Sequence, residues 1–136
     1  MEKISSGSGR RLKILCLHGM NNNIESFRYM TAGFTQLFGA LCSFVFIEAP
    51  HDLDPEVIPP EVGLVNLGFK PPFKAWFKSA DLTEDILRLK EDYEKARPLP
   101  PGDEYWISCG TDESVEVIMT ALRKDTFDGV LTFSQG

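Results

Sequence analysis

The sequence lacks the excess of basic residues that binding to nucleic acid or to an anionic membrane surface requires. It carries 14 Lys and Arg against 20 Asp and Glu, a net charge of −6, whereas phosphate neutralisation needs clustered cations. It has no apolar run long enough to cross a bilayer. Residues 1–9 lack the apolar core of a secretory signal. These absences argue against a nucleic-acid partner and a membrane span. We expect residues 1–11 to form a flexible leader before a domain over 12–136.

Cysteine is also scarce. The three cysteines, Cys16, Cys42 and Cys109, are an odd number and lack the spacing of a metal site, so neither a disulfide framework nor a metal centre is indicated. Cys16 and Cys42 lie in apolar stretches, where a cysteine is usually a small core residue. A reducing, cytoplasmic setting is therefore expected.

The sequence does contain alternating strand and helix patterns. Short apolar runs without polar alternation are typical of strands covered on both faces. Three such runs are predicted as strands, at 12–17, 44–47 and 130–133. Residues 105–108 fit either a short strand or an extended loop.

Apolar residues at helical spacing predict three amphipathic helices, over 24–38, 81–96 and the stretch from 115 to 122. Asn23 is a good N-cap for the first helix, and Thr111 or Asp112 for the last. Strands that alternate with helices predict an α/β domain with a parallel sheet and flanking helices.

Residues 52–72 are rich in Pro and Gly and are predicted to form a long loop. Loops of this length in a compact domain usually pass over a functional site. Aromatic residues stand at its far end, at Phe69, Phe73, Trp76 and Phe77. They either line an apolar substrate cleft or, more simply, seal the loop onto the core.

The last ten residues carry the clearest chemical signal. The apolar run that ends at Phe133 leads straight into Ser134, Gln135 and Gly136. A serine in this position is typical of a nucleophile elbow, a sharp turn after a strand that exposes the hydroxyl. The turn forces the serine into a sparsely allowed backbone conformation and favours small neighbours. Gly136 fits, whereas Thr132 is bulkier than the first glycine of G-x-S-x-G. An inert turn is the alternative interpretation.

Sheet topology predicts what lies beside this serine. If the chain reverses after the second strand, the first strand is central, and His18, Gly19 and Ser134 emerge together at the carboxyl edge, where such sheets bind ligands. We expect Ser134 to lie about 3 to 6 Å from the backbone around Gly19 and Met20. Backbone N–H groups there would point at the atom that the serine attacks.

Four separated segments resemble the FSH-type family of serine hydrolases, α/β-hydrolase-fold enzymes that include esterases and thioesterases. The matching segments are LKILCLHGMNNN at 12–23, FVFIEAPH at 44–51, AWF at 75–77 and FDGVLTFSQG at 127–136. The family's elbow normally reads Gly-Phe-Ser-Gln-Gly, and Phe-Ser-Gln-Gly also occurs in acyl-protein thioesterases. The segments keep the family's order and cover most of this chain, but only the amino-terminal part of a family member.

The resemblance implies a reaction and a set of site residues. Ser134 would attack a small-molecule acyl ester or thioester, and no metal or organic cofactor is needed. The backbone N–H groups of Met20 and Gln135 would form the oxyanion hole. His18, Gly19 and Gly136 would support the oxyanion loop and the elbow.

The sequence departs from the family in one important respect. This fold orders its triad Ser, acid, His, but both histidines, His18 and His51, precede Ser134, and nothing follows Gly136. We therefore expect an amino-terminal part of an α/β-hydrolase fold, truncated after the nucleophile strand and inactive alone. Two alternatives stay open: His51 acts as a surrogate base, or the chain is a non-catalytic fragment or degenerate hydrolase. The unpaired edge of the last strand would also invite self-association.

Overall fold

The computed structural model describes residues 9–53 and 64–136. The strands are β1 (Leu12–Leu17), β2 (Cys42–Ile47), β3 (His51–Asp52), β4 (Lys74–Ala75), β5 (Lys78–Ser79), β6 (Ser108–Cys109) and β7 (Gly129–Thr132). The α-helices are α1 (Ile24–Met30), α2 (Ala32–Leu37), α3 (Glu84–Ala96) and α4 (Thr111–Lys124), and Leu64–Leu67 forms a 3-10 helix. Most of the expected leader, 1–8, and part of the expected long loop, 54–63, lie outside the described residues.

A three-stranded parallel sheet in the order β2-β1-β7 organises the domain. The first strand is central, as the sequence predicted. Leu17, the last residue of β1, pairs with Ile47 on one side and Thr132 on the other. The three strands therefore end level with one another, and the segments that follow them meet at one edge. The mixed α/β architecture is that of part of an α/β-hydrolase fold.

Both faces of β1 are covered, as its uninterrupted apolar pattern predicted. Successive side chains of a strand point to opposite faces. On one face, Leu15 and Leu17 form a cluster with Ala49 and Trp76, against which Val117, Ile118 and Ala121 of α4 pack. On the other face, Cys16 is fully buried, and burial raises the pKa of its thiol to about 11. Cys16 is thus a core residue, as expected.

The helix expected over 24–38 is two short helices, α1 and α2. The break falls at Thr31, whose backbone (φ −96°, ψ 3°) leaves the helical region. The Thr31 hydroxyl donates to the carbonyl of Phe27 at 2.8 Å, a local bond that bends helices, and Gly33 weakens the next turn. The expected N-cap at Asn23 is confirmed, because its side chain accepts from the backbone N–H of Ser26 at 2.9 Å.

The expectation that Thr111 or Asp112 caps α4 was wrong. The N-cap is Gly110, with φ +86° and no side-chain hydrogen bond. A Cβ built on Gly110 would lie 2.4 Å from Nε2 of His51. The site therefore requires glycine for two reasons, its backbone conformation and its contact with His51.

The last strand is less buried than its apolar sequence predicted. Strand β7 ends at Thr132 rather than Phe133, and Val130 and Phe133 are 56% and 50% exposed. Within 9–53 and 64–136, β7 pairs with β1 alone. The ambiguous stretch around 105–108 contributes only to β6, which pairs antiparallel with β5.

A polar clasp holds the start of β1 against the turn that enters β7. The Asp128 carboxylate accepts two hydrogen bonds from the Arg10 guanidinium, at 2.8 and 2.6 Å, and one from the backbone N–H of Lys13 at 2.8 Å. The Asp128 N–H in turn donates to the Lys13 carbonyl at 2.8 Å. The Arg10 contact, followed by the Lys13 bond, lowers the pKa of Asp128 to about 2.

Replacing Asp128 by Asn should make the fold less sensitive to acid. A carboxyl whose native pKa lies below its unfolded value stabilises the fold above about pH 4, and this contribution is lost as pH falls toward its native pKa of about 2. We expect the Asp128→Asn variant to melt below the parent at neutral pH and the two curves to converge near pH 2. Thermal unfolding followed by circular dichroism across that pH range measures the difference.

The matched control for this experiment is Asp92→Asn, a change on the exposed surface of α3. It should leave the melting temperature unchanged throughout. An Asp128→Asn variant whose melting temperature tracks the parent at every pH would show that the clasp does not stabilise the fold.

Candidate active site

Ser134 stands on a tight turn at the carboxyl end of β7. Its φ is +54°, in the left-handed region that non-glycine residues rarely adopt. The N–H of Gly136 donates to the carbonyl of Phe133 at 2.9 Å and closes the turn around Ser134 and Gln135. The conformation costs about 1–3 kcal/mol and persists only where the surroundings impose it. The strained backbone expected of a nucleophile elbow is confirmed, and the serine is exposed.

Two glycines allow this turn to approach the end of β1. A Cβ built on Gly19 would lie 3.0 Å from the Cβ of Ser134 and 3.1 Å from the carbonyl oxygen of Phe133. A Cβ built on Gly136 would lie 2.3 Å from the carbonyl oxygen of Leu17. The expected adjacency of Ser134 and Gly19 is confirmed. Gly136 is small because it meets the backbone of β1, and Thr132 is not among its nearest neighbours.

Thr132 does not disturb the elbow. It pairs with Leu17 at the last paired position of β1 and β7. Among the described residues, it is exposed to solvent. A β-branched residue suits an extended strand, and the left-handed turn at Ser134 forms beside it. The departure from the usual glycine is therefore compatible with elbow geometry.

His18 is a buried, neutral residue that fixes the loop after β1. Its Nε2 accepts from the Ala49 N–H at 3.0 Å, so the ring proton is on Nδ1, which donates to the Gly19 carbonyl at 2.8 Å. Burial lowers the pKa of His18, and the bond with Gly19 opposes that shift. Both ring nitrogens are engaged, so this histidine is not free to take a proton from Ser134.

The loop that follows His18 is anchored by further hydrogen bonds. The Asn21 N–H donates to the Lys74 carbonyl at 3.0 Å, and the Lys74 N–H donates to the Asn22 carbonyl at 2.8 Å. The Asn22 amide donates to the Met20 carbonyl at 3.3 Å. Asn21 itself has φ +63°. The backbone around Met20 is therefore held by β4.

The backbone N–H groups of Met20 and Gln135 make no hydrogen bond within residues 9–53 and 64–136. One belongs to the loop after β1 and the other to the turn after Ser134. Two unpaired donors on adjacent segments can bind the oxygen of a tetrahedral intermediate when they converge beside the nucleophile. Their local setting agrees with the oxyanion role that the sequence suggested, and the role itself stays a prediction.

His51 is bound to the beginning of α4. Its Nε2 donates to the Gly110 carbonyl at 2.7 Å, at the beginning of α4. No hydrogen bond joins His51 to Ser134 in the part of the chain that the structure describes. The arrangement favours a structural role for His51 over that of a surrogate base.

The aromatic residues after the long loop divide between the two roles considered for them. Phe73 and Trp76 are buried and seal the segment onto the core. Phe69 contacts Tyr29, with ring centroids 5.3 Å apart. Phe77 remains exposed, and its carbonyl accepts from the Gln135 side chain at 3.1 Å.

A cavity of about 490 Å³ lies between α4 and β2, lined by Val45, Ile47, Val117 and Ala121 among others, and Ser134 does not line it. Among the described residues, no group of three or more His, Cys, Asp and Glu is placed to hold a metal ion. None of the described helices has the length and apolar character of a membrane span.

The sequence did not reveal the polar contacts of Trp76, Gln135 and Ser114. The Trp76 indole donates to the His18 carbonyl at 2.7 Å, and the Ser114 hydroxyl donates to the Trp76 carbonyl. The sequence marked this region only by the aromatic pair at 76–77, and an aromatic pair does not indicate which hydrogen bonds form.

A parallel sheet whose last strand turns through a left-handed serine, packed on glycine at the end of the central strand, defines an α/β-hydrolase. The chain belongs to the serine hydrolase (FSH1) family, whose model matches residues 7–136.

Two of the relatives that the chain resembles carry the name esterase. The chain is 32% identical to rhodanese-like domain-containing protein 6 of Arabidopsis thaliana, over 99% of its own length and 22% of that protein. It is 32% identical to esterase OVCA2 of Danio rerio, over 92% of its length and 52% of the esterase. It is 28% identical to esterase AGAP003155 of Anopheles gambiae, over 100% of its length and 44% of that protein. The chain thus spans about half or less of these relatives. No solved structure matches it.

Replacing Gly19 by Ala should destabilise the fold, because the added methyl would press on Ser134 and on the Phe133 carbonyl. Overpacking of this kind costs about 1–3 kcal/mol. We expect a corresponding loss in the free energy of unfolding measured with urea.

The matched control is Gly33→Ala in α2, where a built Cβ meets nothing within 4 Å. It should be neutral or stabilising by up to about 1 kcal/mol. Equal stability of the two variants would contradict the close packing of the elbow on the Gly19 loop.

Proposed function

We propose that the chain carries the nucleophile and oxyanion hole of a serine hydrolase that cleaves carboxylic ester or thioester bonds. The observation that carries the proposal is the left-handed backbone of Ser134, φ +54°, packed against Gly19. Membership of a serine hydrolase family and the esterase names of two relatives support the reaction class.

In the proposed mechanism, the Ser134 hydroxyl oxygen attacks the acyl carbon while a base removes its proton. The carbonyl oxygen becomes an oxyanion and accepts hydrogen bonds from the N–H groups of Met20 and Gln135. The intermediate collapses to an acyl-serine when the leaving alcohol or thiol takes a proton from the protonated base. Water, activated by the same base, then releases the acid and regenerates the serine.

The base and its acidic partner, we infer, come from outside these 136 residues. His18 uses both ring nitrogens in buried hydrogen bonds, and His51 is bound to Gly110. The relatives are longer than the matched region, which supports an additional segment that supplies both groups. Without a base, a serine hydroxyl is a poor nucleophile.

The proposed substrate is a small-molecule acyl ester or thioester, and the mechanism needs no metal or organic cofactor. A reducing, cytoplasmic compartment is part of the proposal. It is supported by Cys16, Cys42 and Cys109, none of which forms a disulfide.

The chain alone should hydrolyse a p-nitrophenyl acyl ester slowly, and Ser134 should be its reactive serine. An oxyanion hole without its triad partners leaves roughly 10³-fold catalysis over water in well-studied triad knock-outs. We expect Ser134→Ala to abolish labelling by a fluorophosphonate probe, while the residual turnover that comes from the oxyanion hole persists. Ser108→Ala, an exposed serine on β6, is the matched control and should change neither.

Equal labelling of the parent and the Ser134→Ala variant would contradict the assignment of the nucleophile. Absence of any reaction at Ser134 in the parent would leave the family fold in place and favour a non-catalytic protein.

Joining the chain to the carboxyl-terminal part of zebrafish esterase OVCA2 should restore fast turnover. A positioned general base contributes about 10²- to 10⁴-fold, so we expect a gain of at least about 100-fold in kcat/KM. His51→Gln should leave the gain intact, and circular dichroism verifies that each chimera is folded. Fast turnover by the chain alone that disappears in His51→Gln would instead identify His51 as the base.

A non-catalytic role is the second candidate, because the outer edge of β7 carries exposed Val130 and has no strand partner among the described residues. Such an edge can pair with a second copy of the chain. A concentration-dependent dimer by analytical ultracentrifugation, together with an unreactive Ser134, would favour this candidate.

A further inference from the structure

The Gln135 side chain and Trp76 connect the two segments of the proposed oxyanion hole. Trp76 is 3% exposed and lies between β1 and α4 in the core. Its backbone N–H donates to Oε1 of Gln135 at 3.0 Å, and its indole Nε1–H donates to the His18 carbonyl at 2.7 Å. One residue thus holds both the turn after Ser134 and the loop before Met20.

The Gln135 amide completes the connection. Its Nε2 donates to the Phe77 carbonyl at 3.1 Å and lies 3.5 Å from the Met20 sulfur. Each end of the amide therefore has a partner, and its orientation is determined: Oε1 must face the Trp76 N–H, and Nε2 must face the Phe77 carbonyl. A side chain held at both ends also limits the freedom of its own backbone N–H.

Trp76 is itself fixed from a third direction. The Ser114 hydroxyl, in the first turn of α4, donates to the Trp76 carbonyl. The Trp76 and His18 rings lie 5.5 Å apart, centroid to centroid, and are tilted by 34°. The N–H groups and the carbonyl of Trp76 are therefore all paired with different segments of the fold.

We propose that the Gln135 side chain and Trp76 are positioning residues, which set the distance between the Met20 and Gln135 N–H groups and thereby the strength of the oxyanion hole. The inference rests on the proposed function. It assigns to Gln135 a side-chain role separate from that of its backbone N–H. Hydrogen-bond donors stabilise an oxyanion only when they are already in place as charge develops, so a small displacement reduces the rate more than substrate binding.

Gln135→Met tests the proposal, because it keeps the length of the side chain and removes both amide contacts. In the chimera with the zebrafish esterase segment, we expect kcat to fall at least about tenfold and KM to change less than about twofold. This split is the sign of an interaction made only in the transition state. Val117→Ala, on the face of α4 that packs against the core, serves as a control for lost stability and should keep kcat.

Gln135→Glu adds a readout that lost stability does not produce. A protonated carboxyl accepts from the Trp76 N–H and donates to the Phe77 carbonyl, as the amide does, whereas a carboxylate only accepts and faces that carbonyl unpaired. We expect the kcat of this variant, relative to the parent, to rise as pH falls and the introduced carboxyl becomes protonated. The Gln135→Met variant should show no such rise.

A measurement on the 136-residue chain separates this inference from the proposed function. Amide hydrogen exchange followed by NMR should show that Gln135→Met accelerates exchange at the backbone N–H of Trp76 at least about tenfold. The variant should also shift the backbone amide resonance of Met20. Exchange at Leu15, in the centre of β1, should stay the same. If Gln135→Met causes these changes but Ser134 of the parent chain does not react with the probe, only the catalytic proposal is contradicted.

The inference would be overturned by a Gln135→Met variant whose kcat equals that of the parent. It would also be overturned if kcat fell no further than in Val117→Ala at equal melting temperature, or if the Met20 resonance did not move.

Discussion

The close approach of the β7 turn to the carboxyl end of β1 is the constraint on which the rest of the site depends. Gly19 and Gly136 make it possible, because a Cβ at either position would meet backbone or Ser134 at 3.1 Å or less. The parallel register, in which Leu17 opposes Thr132, brings the two strand ends level. A left-handed serine is then imposed by its surroundings: β1 limits the turn on one side, and the bond from Gly136 to Phe133 closes it.

Buried polar groups link this edge of the sheet to the end of β2. His18 accepts from the Ala49 N–H just beyond β2, and its ring proton is bound by the Gly19 carbonyl. A charged imidazole would carry a second ring proton toward the Ala49 N–H, which is itself a donor, and burial also disfavours the charge; both agree with the lowered pKa of His18. The bond from the Ala49 N–H therefore requires the neutral form of His18. The ends of β2, β1 and β7 behave as one hydrogen-bonded unit.

Local patterns predicted the strands, the order of the sheet and the adjacency of Ser134 and Gly19, because each follows from apolar periodicity and from the geometry of parallel strands. The contacts of Trp76 could not be predicted in this way. They join residues 58, 59 and 38 positions apart, and no local spacing encodes such pairs. The single helix expected over 24–38 failed for a local reason, the Thr31 hydroxyl bond. The prediction of the N-cap of α4 was wrong because of a contact between residues distant in sequence, that of Gly110 with His51.

Both histidines of the chain form hydrogen bonds with backbone groups and so stabilise loops of the fold. His18 fixes the loop that carries Met20, and His51 fixes the start of α4, where Ser114 reaches Trp76. The described residues thus build the parts that must be rigid: a strained serine, two unpaired N–H donors and the bonds that hold them. His18 uses both ring nitrogens in hydrogen bonds, and Nε2 of His51 is bound to the Gly110 carbonyl. In the proposed mechanism, this rigid segment provides the nucleophile and the oxyanion donors, and a segment outside these residues provides the base.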